Sequence, residues 1–139
     1  MTKITIAEFD AITAARLPFA QAWGIETLAL AAGRATMRLP FRSDFLRPGG
    51  TIGGPMLMGL ADLAMYAAVL SAAGPVELAV TSNLSITFLK KPPPLAVVAE
   101  AELLRLGRRL AYGEIRLYSA NDGGRDLVAH ATATYALPQ

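Results

Sequence analysis

The chain of 139 residues contains no cysteine and a single histidine. The missing cysteines exclude disulfide bonds, thiolate metal ligands and a cysteine nucleophile, and they agree with a reducing cytoplasm. One imidazole and no thiolate leave too few of the ligands that zinc prefers, so we expect neither a metal nor another resident cofactor. Charge is sparse as well. Thirteen basic residues face eleven acidic ones, and this net charge of +2 gives no reason to expect nucleic-acid binding.

Length and composition predict one domain over residues 1–139, with no linker or internal repeat to divide it. Two acidic residues interrupt the first segment before an apolar core of signal-peptide length, so we expect a cytoplasmic protein. The apolar run Ile52–Ala73 is long enough for a membrane span. However, Asp62 lies inside it, and the helix breaker Gly53-Gly54-Pro55 shortens it to roughly residues 56–73. We therefore expect a buried core helix and no membrane partner.

Hydrophobic periodicity predicts an α+β chain. Thr5 and Glu8 have the spacing of a capping box, which predicts a short amphipathic helix that ends before Pro18. Alternating residues then predict a hairpin before the long helix and four strands after it, and the short connections make these strands antiparallel. The predicted strands cover residues 25–31, 34–41, 78–90, 95–106, 110–119 and 126–137.

The strand predicted over residues 78–90 alternates in polarity. Period-2 alternation places successive side chains on opposite faces of a sheet. We therefore expect Val80 and Leu84 on an apolar core face, and Thr81 and Asn83 together on a polar face.

The loop before the long helix contains Gly50-Thr51-Ile52, then Gly53, Gly54 and Pro55, and Asp62 follows inside the helix. With the order of the elements and the sequence LGRR before the penultimate strand, this resembles the hotdog fold, specifically the phenylacetate-pathway (PaaI-like) acyl-CoA thioesterases. In that family the loop usually reads G-T-[LIV]-H-G-G, with an acidic residue nine positions after the histidine. Here Gly53 stands at the histidine position and Asp62 at the acidic one.

The resemblance implies an antiparallel sheet wrapped around a long central helix, in a homodimer or homotetramer with sites between subunits. It implies that Asp62 acts on a bound thioester as general base or as nucleophile, while the Gly54 amide polarises the carbonyl. The substrate is then a small acyl-CoA or aryl-CoA. Coenzyme A is part of that substrate and not a cofactor.

Further side chains are candidate substrate contacts. In similar proteins the loop and the strand that border the site carry polar residues, which correspond here to Arg47 and to Asn83 with its neighbour Ser82. Met58 and Tyr66 on the central helix suggest an apolar acyl pocket, although core packing explains them equally well.

Two basic groups could hold the phosphates of coenzyme A, the alternative being solvated strand ends. We call Lys90 and Lys91 the lysine pair, and Arg105, Arg108 and Arg109 the arginine cluster. A long strand separates the two groups within one chain, so only a second subunit could bring them together.

Two functions from different classes remain open. One is an acyl-CoA thioesterase, and the other is a non-catalytic acyl-CoA-binding or regulatory hotdog protein. Asp62 favours the first, and the absence of an imidazole at Gly53 favours the second. A hotdog hydratase or dehydratase would need a histidine in its own motif. The only histidine, His130, lies in the alternating segment LVAHATATY and is predicted to be an ordinary strand residue.

Overall fold

The structure, a computed structural model that describes residues 1–139, begins with helix α1 at Ile6–Arg16. Thr5 caps this helix: its hydroxyl accepts a hydrogen bond from the Glu8 amide at 3.1 Å, and the Glu8 carboxylate accepts one from the Thr5 amide at 2.9 Å. The predicted capping box is thus confirmed. A second short helix, α2, covers Pro18–Trp23 and was not predicted. Gly24, in the left-handed region at φ 70°, ends it.

Eight strands follow in the chain, and the two shortest form a small hairpin in the loop before the long helix. They are β1 (Glu26–Ala31), β2 (Arg34–Leu39), β3 (Leu46–Arg47), β4 (Thr51–Ile52), β5 (Val80–Phe88), β6 (Val97–Leu106), β7 (Leu110–Ser119) and β8 (Asp126–Ala136). The other six strands form one antiparallel sheet in the order β1-β2-β6-β7-β8-β5. The long predicted strands are therefore present, with ends shifted by a few residues, and β5 and β1 are the edges of the sheet.

Helix α3, Gly54–Ala73, packs against the concave side of the sheet. Every residue from Leu63 to Ser71 is buried. The contact with the sheet is close: a Cβ atom on Gly113 of β7 would lie 2.9 Å from the Met65 sulfur of α3, and it would also lie 2.6 Å from the Glu102 carbonyl oxygen of the neighbouring strand β6. The length and hydropathy of α3 would also fit a membrane span. Its burial makes it instead the central helix of an α+β hotdog fold.

Edge strand β5 contains a β-bulge. Its ladder with β8 skips Ser82, which is the extra residue. As a result Thr81 faces α3, to which it donates a hydrogen bond, on the same side as the half-buried Leu84. Val80 and Asn83 lie on the opposite face. The predicted grouping of Thr81 with Asn83 and of Val80 with Leu84 is therefore wrong, because one extra residue reverses the alternation.

Candidate functional site

Asp62 lies half-buried on α3 with two hydroxyl groups directed at one of its carboxylate oxygens. Its Oδ1 accepts hydrogen bonds from the Thr81 hydroxyl at 2.6 Å and from the Tyr135 hydroxyl at 2.7 Å. Thr81 on β5 and Tyr135 on β8 are ladder partners, so two neighbouring strands present these donors side by side. No protein group donates to Oδ2. The carboxylate is thus held through one oxygen, while the other has no protein donor.

The Asp62 carboxylate forms part of the wall of a cavity of about 520 Å³. Tyr66 lies beside it, with its hydroxyl bonded to the Glu77 carbonyl oxygen at 3.0 Å. The Glu77 carboxylate pairs with Arg16 at 3.0 Å at another part of the rim. The rest of the wall is largely apolar and includes Leu17, Phe19, Leu63, Leu78, Ala79 and Val80. A cavity of this size and polarity suits an acyl or aryl group.

The turn that begins α3 leaves one backbone amide free. The Gly53 amide donates to the Phe45 carbonyl oxygen at 2.9 Å, and the Met56 amide donates to the Gly53 carbonyl oxygen at 3.1 Å. Pro55 has no N–H. The Gly54 amide has no acceptor in the backbone, and no side chain caps the helix. This N–H lies at the positive end of the helix dipole, where it can bind a developing oxyanion.

The two glycines of this turn differ in what they require. Gly54 does not have a positive φ, but a Cβ atom there would lie 3.2 Å from Cζ of Phe88, so the close aromatic ring favours glycine. Gly53 is extended, with φ −67° and ψ 147°. A Cβ atom on Gly53 would meet no atom closer than 3.5 Å. Neither the backbone conformation nor the available space therefore requires a glycine at position 53.

Gly54 lines a second cavity, of about 570 Å³, which also contains three basic side chains. The Lys90 ammonium is bound to Oδ1 of Asp126 at 2.8 Å. Arg47 and Lys91 form no ion pair. The cavity therefore presents two free cations near the free Gly54 amide, which is a favourable setting for an anionic ligand.

Gly54 and Asp62 do not meet within one chain. They are eight residues apart on α3, which corresponds to about 12 Å along the axis. They also line different cavities. A single carbonyl group cannot contact both in one subunit, so a site that uses both requires a second copy of the chain.

Comparison with known proteins identifies the family. The model of the thioesterase superfamily matches residues 49–125, which include the free amide, Asp62 and the bulged strand. That match covers just over half of the chain. This chain belongs to the thioesterase superfamily.

Solved structures agree with membership of the superfamily. The chain is 40% identical to a protein from Silicibacter sp. TM1040 named "putative thioesterase", with a TM-score of 0.87 over 100% of this chain and 95% of that one. It is 32% identical to a point mutant of the phenylacetic acid degradation protein PaaI from Thermus thermophilus (TM-score 0.75, over 86% and 97%). E. coli PaaI, at 20% identity, shares the fold (TM-score 0.85, over 96% and 94%). The resemblance to PaaI thioesterases is thus confirmed.

The other residues considered as site candidates in the sequence lie at different places in the fold. Met58 is 39% exposed and lines neither cavity. Asn83 faces away from Asp62 because of the bulge, so Thr81 occupies the place expected for it. His130 lies on the outer face, with Nε2 2.9 Å from Oε1 of Glu114, and this hydrogen bond lowers the pKa of the Glu114 carboxyl. His130 thus lies on a different face from the Asp62 cavity.

The arginine cluster surrounds a polar hollow of about 710 Å³ together with the C-terminal residues, and none of its members forms an ion pair. Leu110, which follows it, pairs with Ala136, next to Tyr135. The cluster is therefore at the Asp62 end of the sheet, whereas the lysine pair is at the Gly54 end.

Sequence reasoning missed Thr81 and Tyr135. The sequence does contain a signal for Tyr135, because this residue follows Ala131 and Ala133 on the buried face of an alternating strand. A buried tyrosine hydroxyl needs a partner, and the only carboxylate of the central helix is the natural one. Thr81 had no comparable signal, because its orientation depends on the bulge.

Proposed function

We propose that this protein hydrolyses acyl-CoA or aryl-CoA thioesters at sites shared by two subunits. The observation that carries the proposal is the Asp62 carboxylate, which lines an apolar cavity, is held through Oδ1 and has no protein donor on Oδ2. As general base, Oδ2 takes a proton from water as the water oxygen attacks the thioester carbonyl; the C–S bond then breaks, and the same proton passes to the leaving thiolate. As nucleophile, Oδ2 attacks the carbonyl carbon and displaces the thiolate to form a mixed anhydride, and water then hydrolyses the anhydride, which frees the acid and the carboxylate and supplies the proton for the thiolate.

The second subunit supplies the oxyanion donor. Strand β5 is a free edge with neither charge nor proline, and two of its large apolar side chains, Val80 and Phe88, are 59% and 49% exposed. Such an edge readily pairs with another strand. Antiparallel pairing of two β5 strands around a two-fold axis brings the Val80 end of one to the Phe88 end of the other. Asp62 lies near the first end and Gly54 near the second, so each subunit would complete the other's site.

The same pairing has a consequence for coenzyme A. It brings the arginine cluster of one subunit toward the lysine pair of its partner, because these groups lie at opposite ends of the sheet. Both can bind phosphate groups. A homodimer, or a tetramer of two such dimers, thus places cations around a nucleotide-bearing thioester, while the acyl or aryl group occupies the Asp62 cavity.

The second candidate is a non-catalytic acyl-CoA-binding protein. Gly53 favours this candidate. The PaaI-like family usually has a histidine at this position, and here the imidazole is missing although there is space for a side chain. In such a protein the cavities and the cations would hold the ligand without turnover.

A hydrolysis panel tests the proposal. Acyl-CoA and aryl-CoA thioesters of different sizes are assayed with wild type, with Asp62→Asn, and with Asp122→Asn as a matched control on an exposed turn. We expect Asp62→Asn to lower turnover by roughly two orders of magnitude or more, the scale of a positioned acid–base group, with the unfolding midpoint nearly unchanged. The control should keep full activity.

Three results would contradict the proposal. Full activity of Asp62→Asn, or a loss that only follows its folded fraction, would remove Asp62 from the mechanism. Tight binding of acyl-CoA by wild type without any hydrolysis across the panel would establish the binding protein instead.

A further inference from the structure

Tyr135 is almost completely buried, at 3% exposed, yet its hydroxyl contacts a charged group. The hydroxyl oxygen lies 2.7 Å from Oδ1 of Asp62 and 2.9 Å from the Asp62 carbonyl oxygen. It has one hydrogen to give. The carbonyl belongs to α3 and accepts a helical hydrogen bond already, whereas the carboxylate is charged and makes the stronger bond. The hydrogen of Tyr135 therefore points to Oδ1.

Tyr135 is a donor and not an acid or base of the reaction. Burial raises the pKa of its phenol far above the usual value, and the Asp62 charge raises it further. The hydroxyl therefore keeps its proton throughout the working range of pH. The hydroxyl contacts Oδ1 of Asp62 and not the free Oδ2. It therefore cannot exchange protons with a reactant at Oδ2.

We propose that Tyr135 is a positioning residue for Asp62. Together with Thr81 it occupies Oδ1 with two donors, so the carboxylate cannot rotate to exchange its oxygens, and Oδ2 stays free of protein donors. A carboxylate fixed in this way loses little orientational freedom in the transition state. The inference rests on the proposed function for its effect on turnover, but the interaction itself is independent of it.

Removal of this hydroxyl should leave the fold intact. Tyr135→Phe keeps the ring, which packs against Tyr66 with ring centroids 6.1 Å apart. Thr81 still donates to Oδ1, and the Asp62 carbonyl keeps its helical bond. No buried polar group is left without a partner.

The test measures kcat and KM for wild type, Tyr135→Phe and Thr81→Val. Loss of one hydrogen bond to a charged group should lower kcat about tenfold to a hundredfold, with KM changed less than about threefold. Tyr118→Phe is the control, because this tyrosine on β7 makes no side-chain hydrogen bond, and it should behave as wild type.

Two results would overturn the inference while the proposed function stands: an unchanged kcat in Tyr135→Phe, or a lower kcat that only follows the loss of folded protein. If Tyr135→Phe proves unstable, Thr81→Val decides by the same two criteria. If wild type hydrolyses no thioester, the proposed function fails, and the carboxyl ¹³C resonance of Asp62 at neutral pH becomes the readout. A changed chemical shift in Tyr135→Phe then supports the positioning bond, and an unchanged one overturns it.

Discussion

A shared site can be tested by mixing two inactive variants. Asp62→Asn removes the carboxylate, and Gly54→Pro removes the free amide while keeping a residue that the first turn of a helix tolerates. The preceding Gly53 is already extended, as a residue before proline should be. Each variant alone should be weak: we expect losses of roughly a hundredfold or more from the missing base and from the missing oxyanion donor.

The expected recovery follows from the geometry. Gly54 and Asp62 are about 12 Å apart along one helix, so a site that uses both takes one residue from each subunit. In a heterodimer, one site then combines the intact Asp62 of one chain with the intact Gly54 of the other, and the second site carries both changes. Random exchange makes half of the dimers heterodimers, so the mixture should regain about one quarter of wild-type activity.

The assay needs subunit exchange to be demonstrated. The two variants are mixed after mild denaturation, and heterodimer formation is measured by native mass spectrometry with one variant extended by a tag. Thioester hydrolysis is then followed against the heterodimer fraction. Recovery in proportion to that fraction is expected. If heterodimers form and activity stays at the level of the separate variants, each site lies within one chain and the reasoning is refuted.

Two further predictions concern charge and packing. Glutamine substitutions in the arginine cluster should weaken the binding of CoA thioesters and flatten the salt dependence of that binding. Lys91→Gln should have a larger effect than Lys90→Gln, because the Lys90 ammonium is already paired with Asp126. An equal loss of activity on a short thioester without a nucleotide would point to misfolding. Gly113→Ala should lower the free energy of unfolding in urea by about 1–3 kcal/mol, because its Cβ would collide with backbone 2.6 Å away. Gly53→Ala should change it by less than about 0.5 kcal/mol, and similar values for both would contradict the close approach of the β6 backbone to Gly113.

The elements of this fold could be predicted from local patterns. The capping box at Thr5, the alternation in the long strands and the apolar run with Asp62 each depend on residues close in sequence. Helix α2 could not, since a proline at its first position reads equally well as the end of α1. The bulge at Ser82 could not either, because it is fixed by pairing with β8, more than fifty residues further along the chain.

For the same reason, only part of the candidate site could be predicted from the sequence. Asp62 and Gly54 were predicted from the resemblance to the family motif, whose loop residues and spacing to the acid can be read directly in the sequence. Thr81 and Tyr135 contact Asp62 through the sheet, so a search for neighbours along the helix found Met58 instead, which the structure leaves 39% exposed and outside both cavities. Side chains that complete a catalytic group often come from distant strands, and only the register of those strands identifies them.

The missing imidazole at Gly53 is the strongest argument against catalysis, and the structure weakens it. The groups that thioester hydrolysis needs are a base with a free lone pair and a donor for the oxyanion. Here both are present without an imidazole: the free Gly54 amide belongs to the backbone, and the Asp62 carboxylate is held by two hydroxyl groups. Two donors hold one oxygen of this carboxylate, and the other oxygen has no protein donor, at a residue that lines the apolar cavity. The pattern of hydrogen bonds on Asp62 therefore favours hydrolysis, and Gly53 is better explained as extra room at the cavity that Gly54 lines.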